Sequence, residues 1–218
     1  MDKILSDKDR DYIAKLFAKN LKDPVNIMLF TDSEERCETC KEEEQLLREL
    51  VDIDKERLKL TVYDISKDKD VAKFFDISKA PALVLGGKKI YDILYLGVPS
   101  GYEFAALLED IIDVSNNRSR LSEEGKSFIR SIDKKIEIKV FVTPTCPYCP
   151  SAVRTAHQMA LENKNIRAMM IESIEFPELA DKYNVMAVPK IVINDKVEFE
   201  GAVPENMFID YIKEAIKE

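Results

Sequence analysis

Two short stretches decide the fold of this chain: Cys37-Glu38-Thr39-Cys40 and Cys146-Pro147-Tyr148-Cys149. They hold all four cysteines of the 218-residue sequence, and their first cysteines stand half the chain length apart. In the cytosol a Cys-x-x-Cys pair is either half of a zinc site or a redox-active dithiol. A structural disulfide framework is less favoured there, because cytosolic thiols are usually kept reduced.

Around each pair the sequence repeats one pattern. An apolar strand precedes the pair, and a stretch with helical spacing, a second strand and a short helix follow it. A proline then opens a further strand, in Ala80-Pro81-Ala82-Leu83 and in Val188-Pro189-Lys190-Ile191. A tight turn, another strand and an amphipathic helix close each half. The predicted order, α-β-α-β-α-β-β-α twice, implies an α/β fold in which each unit has a mixed central sheet flanked by helices.

The polar stretch from Ser115 to Arg120 is predicted to link the two halves. We therefore expect an N-terminal unit over residues 1–117 and a C-terminal unit over residues 118–218. Ser6 and Ser122 are predicted to cap the leading helix of each unit, since acidic residues follow both serines in the first turn.

The composition excludes several classes of function. A net charge of −8 argues against a general nucleic-acid binder, because phosphate contacts need clustered Lys and Arg. The six glycines form no dinucleotide- or phosphate-binding motif, so no flavin or nicotinamide cofactor is expected. The apolar runs are too short to span a bilayer and acids occupy the start, which predicts a cytoplasmic protein without membrane contact. Abundant Lys and Glu with only two Gln are a thermophile tendency.

Each half resembles the thioredoxin fold, because a strand leads into Cys-x-x-Cys and a proline opens a strand some forty residues later. The second half is similar to a glutaredoxin, whose active-site tetrapeptide is Cys-Pro-Tyr-Cys. As a whole the chain resembles the protein disulfide oxidoreductases of archaea and thermophilic bacteria. The resemblance implies thiol–disulfide exchange with disulfide-containing proteins, with no metal and no cofactor besides the chain's own disulfides. Electrons are then expected from a separate thioredoxin-reductase-like flavoprotein.

The two pairs are expected to differ in reactivity. Cys146 and Cys37 are the expected nucleophiles, because a helix N-terminus favours the thiolate. Cys149 and Cys40, one helical turn on, are expected to be more deeply buried and to resolve the mixed disulfide. Seven acids and two bases surround the first pair, whereas no charged residue lies between positions 141 and 153. Since negative charge disfavours a thiolate, we expect Cys146 to be the principal catalytic thiol.

The resemblance also implies roles for the residues around the two prolines. Pro81 and Pro189 are expected in the cis form beside the cysteines, where they limit metal access to the sulfurs. The backbones of Ala80 and Val188 are then free to pair with an extended substrate segment. Tyr148 is a candidate substrate contact, although an exposed tyrosine there could simply fill the loop.

Several features of the sequence leave their interpretation open or indicate no specific function. Thioredoxins carry a buried Asp before the Cys-x-x-Cys, whereas Thr31 and Val140 stand in that neighbourhood here. His157, the single histidine, is predicted on a helix surface or partly buried, too far along the helix from Cys146 for a Cys–His pair. The run Glu42-Glu43-Glu44 is predicted to be solvated, and the methionines are predicted to fill the core. The alternatives to an enzyme are a non-enzymatic redox adaptor and a four-cysteine zinc protein.

Overall fold

A computed structural model describes residues 3–217, and it contains the predicted order of helices and strands in both halves. The elements of the first half are α1 (Asp7–Asn20), β1 (Val25–Thr31), α2 (Cys40–Val51), β2 (Leu58–Asp64), α3 (Lys69–Phe74), β3 (Ala82–Gly86), β4 (Ile90–Leu96) and α4 (Glu103–Asn116). Those of the second are α5 (Glu123–Ser131), β5 (Ile136–Val142), α6 (Cys149–Glu162), β6 (Ile166–Glu172), α7 (Pro177–Lys182), β7 (Lys190–Ile193), β8 (Val197–Glu200) and α8 (Glu205–Ile216). No helix within residues 3–217 has the length and apolar character that a membrane crossing requires.

Backbone contacts divide the chain into two compact units whose composition differs from the sequence repeat. One unit contains the chain up to Ile90 together with Ile111–Asn117, and the other contains Tyr91–Asp110 together with the chain from Arg118 onward. The second unit therefore takes β4 and most of α4 from the first repeat. The boundaries expected from the repeat, 1–117 and 118–218, describe the duplication along the chain, whereas these contacts reassign residues 91–110.

The first unit is built around β1. This strand pairs in parallel with β2, from Val25 opposite Leu58, and antiparallel with β3, where Leu29 lies opposite Leu83. Its side chains are buried at all but its second and last positions. A strand that is apolar on both faces needs cover on both, which is typical of a sheet enclosed by helices.

The second unit has the strand order β4-β6-β5-β7-β8. Strand β6 pairs in parallel with β4 on one side and with β5 on the other. Strands β7 and β8 continue the sheet in antiparallel orientation. The expected parallel core with an antiparallel edge is therefore present, and it places the carboxyl ends of β5 and β6 side by side.

Both predicted helix caps are confirmed. The side chain of Ser6 accepts a hydrogen bond from the backbone N–H of Asp9, and that of Ser122 accepts one from Gly125. Each supplies a partner to a backbone donor of the first turn that the helix leaves unpaired.

The predicted linker is too long at its N-terminal end, because α4 continues to Asn116. Ser115 is fully buried, and its Oγ accepts hydrogen bonds from the backbone N–H groups of Lys22 and Asp23 at 2.9 and 3.0 Å. The same hydroxyl donates to the carbonyl oxygen of Asp23 at 2.6 Å. Ser115 therefore lies in the predicted linker but is buried, and its hydrogen bonds hold the segment before β1 in place.

Candidate redox sites

Each Cys-x-x-Cys pair is closed as a disulfide, Cys37 with Cys40 and Cys146 with Cys149, and the Cα atoms are 5.5 Å apart in both. All four side chains are buried. Cys149 is more deeply buried than Cys146, as expected, whereas Cys40 is exposed to nearly the same extent as Cys37. The helices begin at the second cysteines, so the first cysteines lie in the loops just ahead of α2 and α6.

The sulfur of Cys146 lies where an anion would be stabilised. It accepts a hydrogen bond from the backbone N–H of Cys149 at 3.1 Å, which is one of the unpaired donors at the start of α6. The N–H of Cys146 itself donates to the carbonyl oxygen of Thr143 at 3.1 Å and fixes the loop. A hydrogen bond to the charged form lowers a thiol pKa, and the helix dipole acts in the same direction.

The two prolines are in the cis form, at Ala80–Pro81 and Val188–Pro189, which confirms the prediction. The carbonyl oxygen of Val188 lies 3.7 Å from the sulfur of Cys146, so the backbone before Pro189 borders the disulfide. Both prolines are buried, whereas Ala80 and Val188 are half-buried. The backbone of the residue before each proline is therefore near the surface of its unit.

The surroundings of the first disulfide are negatively charged. Arg36 forms an ion pair with Asp32, and Lys41 forms one with Glu34. Three further exposed acids have no ion-pair partner within residues 3–217: Glu35, Glu38 and Glu42. Two bases are thus matched by two acids, and three carboxylates close to Cys37 in sequence have no ion-pair partner among the described residues.

The stretch of residues 141–153 that holds the second disulfide carries no charged side chain. Tyr148 is 69% exposed.

Four methionines are buried, as predicted for the core: Met28, Met159, Met169 and Met170. That prediction is wrong for Met186 and Met207, which are 89% and 44% exposed, and Met1 lies outside the described residues. Met186 stands two residues before Val188, in the segment that leads to the cis proline.

Five carboxylates are buried within residues 3–217 and none was predicted from the sequence; two of them, Glu103 and Glu43, lie close in sequence or structure to the cysteines. Glu103, at the start of α4, is 1% exposed, and its side-chain oxygens have no hydrogen-bond partner within residues 3–217. Burial raises its pKa to about 8. The preceding residue, Tyr102, donates its N–H to the carbonyl oxygen of Pro144 at 3.1 Å, so Glu103 is held next to the loop that carries Cys146.

The second buried carboxylate is Glu43 in the first turn of α2, and the predicted solvated run is wrong for this residue. Glu42 is exposed and Glu44 half-exposed, but Glu43 is fully buried. It follows Cys40 by three residues and precedes Leu47 by four, so helical periodicity puts it on the buried face. That spacing was the available signal, and the surrounding charge obscured it.

Several known proteins are similar to this chain in sequence or structure. A family model described as a thioredoxin domain matches residues 136–214. Over 83 residues the chain is 39% identical to the thioredoxin of Methanocaldococcus jannaschii, covering 38% of this chain and 98% of that protein. A protein disulfide oxidoreductase from Aeropyrum pernix has a similar structure, with a TM-score of 0.90, 33% identity, and coverage of 99% of this chain and 94% of that one. This chain belongs to the protein disulfide oxidoreductase family.

Further relatives of this protein disulfide oxidoreductase include larger proteins. The F subunit of the alkyl hydroperoxide reductase from Pseudomonas putida is 28% identical over 107 residues, which are 49% of this chain and 21% of that protein. The structure of the corresponding Enterococcus faecalis protein has a TM-score of 0.86 at 25% identity, covering 94% of this chain and 98% of that chain. The two halves are therefore tandem thioredoxin folds, and the protein is a thiol–disulfide oxidoreductase whose redox groups are its own cysteines.

His157 lies in the core of this oxidoreductase, contrary to the prediction of a surface or partly buried side chain. It is fully buried on α6, and its Nδ1 is 2.6 Å from Oδ2 of Asp110. Asp110 also forms an ion pair with Arg154 and accepts a hydrogen bond from the hydroxyl of Tyr95. Burial and the neighbouring Arg154 lower the pKa of His157 to about 3, so the ring is neutral at physiological pH. These contacts join α6 to α4 and β4, which makes His157 a structural residue.

A metal centre was one alternative use of the cysteines. Within residues 3–217 no group of three or more His, Cys, Asp or Glu side chains is placed to hold a metal ion. Each disulfide joins the two cysteines of one Cys-x-x-Cys pair, and neither disulfide links the two pairs.

Proposed function

We propose that the protein reduces disulfides in other proteins, principally at the second site, with Cys146 as nucleophile and Cys149 as resolving cysteine. One observation carries the proposal: the sulfur of Cys146 accepts the first helical N–H of α6 and borders the carbonyl oxygen of Val188. This arrangement combines a stabilised thiolate with an adjacent backbone segment that can hold the substrate.

The exchange starts from the reduced site. The Cys146 thiolate attacks one sulfur of the substrate disulfide, that S–S bond breaks, and a mixed disulfide forms while the other substrate sulfur leaves and takes up a proton. The Cys149 thiolate then attacks the Cys146 sulfur, which releases the second substrate thiol and forms the Cys146–Cys149 disulfide. Two electrons have then passed to the substrate. The same steps in reverse oxidise a dithiol, and the direction depends on the reduction potentials of the two couples.

Resolution requires a proton acceptor, because the buried Cys149 thiol must ionise before it attacks. We assign this role to Glu103, whose pKa of about 8 lies close to physiological pH, where a group exchanges protons effectively. Its position next to the Cys146 loop and its burial support the assignment. Glu103 would replace the buried aspartate that thioredoxins carry near Thr31 and Val140.

The substrate segment is proposed to lie in an extended conformation against the residues before the cis prolines. At the second site Val188 would supply the backbone partner, Pro189 would hold it in place, and Tyr148 would cover the segment from the opposite side of the disulfide. Ala80 and Pro81 would do the same at the first site. The three unmatched carboxylates near Cys37 make that cysteine the less acidic thiol, so the first site is proposed to be auxiliary.

A separate reductase must return the two electrons. The chain has no dinucleotide-binding motif, and a thioredoxin-reductase-like flavoprotein is the proposed donor. One relative, named NADH dehydrogenase, is 26% identical to this chain over 102 residues that form 20% of its own length. Similarity to part of such a protein supports a reductase as donor. We also propose that the protein acts in the cytoplasm and needs no bound cofactor.

The test is the reduction of insulin by the purified protein with dithiothreitol as the electron source. Two double variants are compared with the intact chain, Cys146→Ser/Cys149→Ser and Cys37→Ser/Cys40→Ser. The first is expected to lose turnover, and the second is expected to keep most of it. Equal activity of the two variants would refute the ranking of the sites. Absence of turnover by the intact chain would refute protein disulfides as its substrates.

A further inference from the structure

The two sites share one framework but present different surfaces. Strand β1 ends at Thr31, whose carbonyl accepts the N–H of Ile65, and β5 ends at Val142, whose carbonyl accepts the N–H of Ser173. These bonds, the cysteines and the cis prolines align the two halves, with a loop before Cys37 that is two residues longer than the loop before Cys146. Three surface positions around each disulfide can then be compared directly.

All three positions are polar in the first half and apolar in the second. Thr39 matches Tyr148 between the cysteines, Ser78 matches Met186 before the cis proline, and Ser66 matches Ile174 beyond the second strand. The three apolar side chains are highly exposed, at 69% for Tyr148, 89% for Met186 and 70% for Ile174. Exposed apolar residues scattered singly need no explanation, but a group around a reactive site indicates an interaction surface.

Backbone bonds bring these residues to the Cys146 loop. The bond from Ser173 to Val142 places Ile174 beside the start of the loop, and the contact of Val188 with Cys146 places the segment of Met186 beside its end. Tyr102 is a fourth residue with an exposed side chain at this loop, because its backbone N–H donates to the carbonyl oxygen of Pro144. Four of the nine large exposed apolar side chains within residues 3–217 are therefore attached to one loop.

The charged residues near the two disulfides also differ, with none in the stretch around the second and several acids around the first. The stretch of residues 141–153 carries no charge, whereas three exposed glutamates without ion-pair partners among the described residues lie within five positions of Cys37 in sequence. A neutral apolar rim favours an apolar segment, and an acidic rim attracts a cationic one and repels an acidic one.

We propose that the two sites divide substrates by the residues that flank the target cysteine. The Cys146 site takes disulfides in extended segments with apolar flanks, and the Cys37 site takes disulfides whose flanks carry Lys or Arg. The inference rests on the proposed function and adds the substrate class of each site. Met186 and Ile174 are the specificity residues of the second site, and Glu35 and Glu38 are those of the first.

The experiment uses two synthetic peptides that differ only in the flanks of one cysteine, apolar in one and basic in the other. Each cysteine carries thionitrobenzoate as a mixed disulfide, so that release of the coloured thiol reports the attack. The Cys37→Ser/Cys40→Ser chain reports the second site alone, and the Cys146→Ser/Cys149→Ser chain reports the first. Both are reduced with dithiothreitol, desalted and mixed with peptide in single-turnover reactions.

At the second site the apolar peptide is expected to react about tenfold faster than the basic one, the discrimination typical of one or two apolar contacts. Met186→Ser/Ile174→Ser should bring that ratio close to one. Tyr12→Ser/Ile4→Ser, which removes exposed apolar side chains near the N-terminus, should leave the ratio unchanged. At the first site the basic peptide is expected to react faster. That preference should weaken with added salt and in Glu35→Gln/Glu38→Gln.

Equal rates for both peptides at each site, with normal release from both, would overturn the inference and leave the proposed function intact. Failure of both peptides to react at the second site, while insulin turnover is also absent, would instead refute the proposed function. A changed ratio in the Tyr12→Ser/Ile4→Ser control would show that the assay reports general stickiness, and it would also overturn the inference.

Discussion

Replacing Glu103 by Gln tests the buried carboxylate without changing its shape. In the unfolded chain this group has its ordinary pKa of 4.5, whereas burial in the folded chain raises the pKa to about 8. Between these two values the folded state keeps a proton that the unfolded state has lost. The contribution of Glu103 to the stability of the wild-type chain therefore falls as pH rises from 4.5 to 8, and the Gln variant lacks this contribution.

The size of the effect follows from the two pKa values. One pKa unit corresponds to about 1.4 kcal/mol, so ionisation of Glu103 on unfolding lowers the free energy of unfolding by about 3 kcal/mol at pH 7. Above pH 8 the loss levels off at roughly 5 kcal/mol. The free energy of unfolding of Glu103→Gln, minus that of the wild type, should rise by these amounts relative to its value at pH 4. A constant offset from the packing of the amide cancels in this comparison.

The assay is urea unfolding of the oxidised chain, followed by circular dichroism at pH 4, 5, 6, 7 and 8. Glu124→Gln serves as the control, because Glu124 is exposed on α5 and should give a small, nearly constant difference. A Glu103→Gln difference that stays constant within about 0.5 kcal/mol from pH 4 to 8 would refute the reasoning, because the carboxylate would then titrate alike in both states.

Four further substitutions test other parts of the structure by urea or thermal unfolding. Asp110→Asn should lower the free energy of unfolding by about 3–5 kcal/mol, because it removes the buried counter-ion of Arg154. Gly101→Ala should destabilise by more than Gly201→Ala: both have positive φ, but a Cβ at Gly101 would meet the carbonyl oxygen of Pro144, whereas nothing lies within 4 Å at Gly201. Ser115→Ala should cost about 1–3 kcal/mol, since the backbone N–H groups of Lys22 and Asp23 lose their acceptor. Smaller losses at Asp110 or Ser115, or equal losses at the two glycines, would contradict the corresponding contact.

Local features of the fold were accessible from the sequence. The serine caps depend on hydrogen bonds between a side chain and the backbone two or three residues on, so Ser6 and Ser122 could be assigned directly. The order of helices and strands follows from hydrophobic periodicity, which operates over a few residues. The cis prolines were predicted through a family resemblance on matched motifs, which carries tertiary information that a single segment lacks.

Buried polar residues were not accessible in the same way. Glu43 is predicted as part of a solvated run and His157 as a surface or partly buried residue, and both are fully buried. The polarity of a side chain predicts exposure unless a partner compensates its burial, and the partner of His157 is Asp110, 47 positions away. The prediction for Met186 was wrong in the opposite direction, since this apolar side chain was expected in the core and is exposed. Its exposure is explained only by the surface around it.

Spacing within each repeat was enough to predict the two-unit α/β fold, the four redox cysteines and the resemblance to the protein disulfide oxidoreductase family. The atoms that surround the sulfurs, in contrast, depend on tertiary contacts. The assignment of β4 to the second unit, the burial of Glu103 next to the Cys146 loop and the apolar rim of the second disulfide all depend on contacts between segments distant in sequence. Such contacts form when a sheet aligns the ends of its strands, and no local pattern of residues encodes which ends will meet.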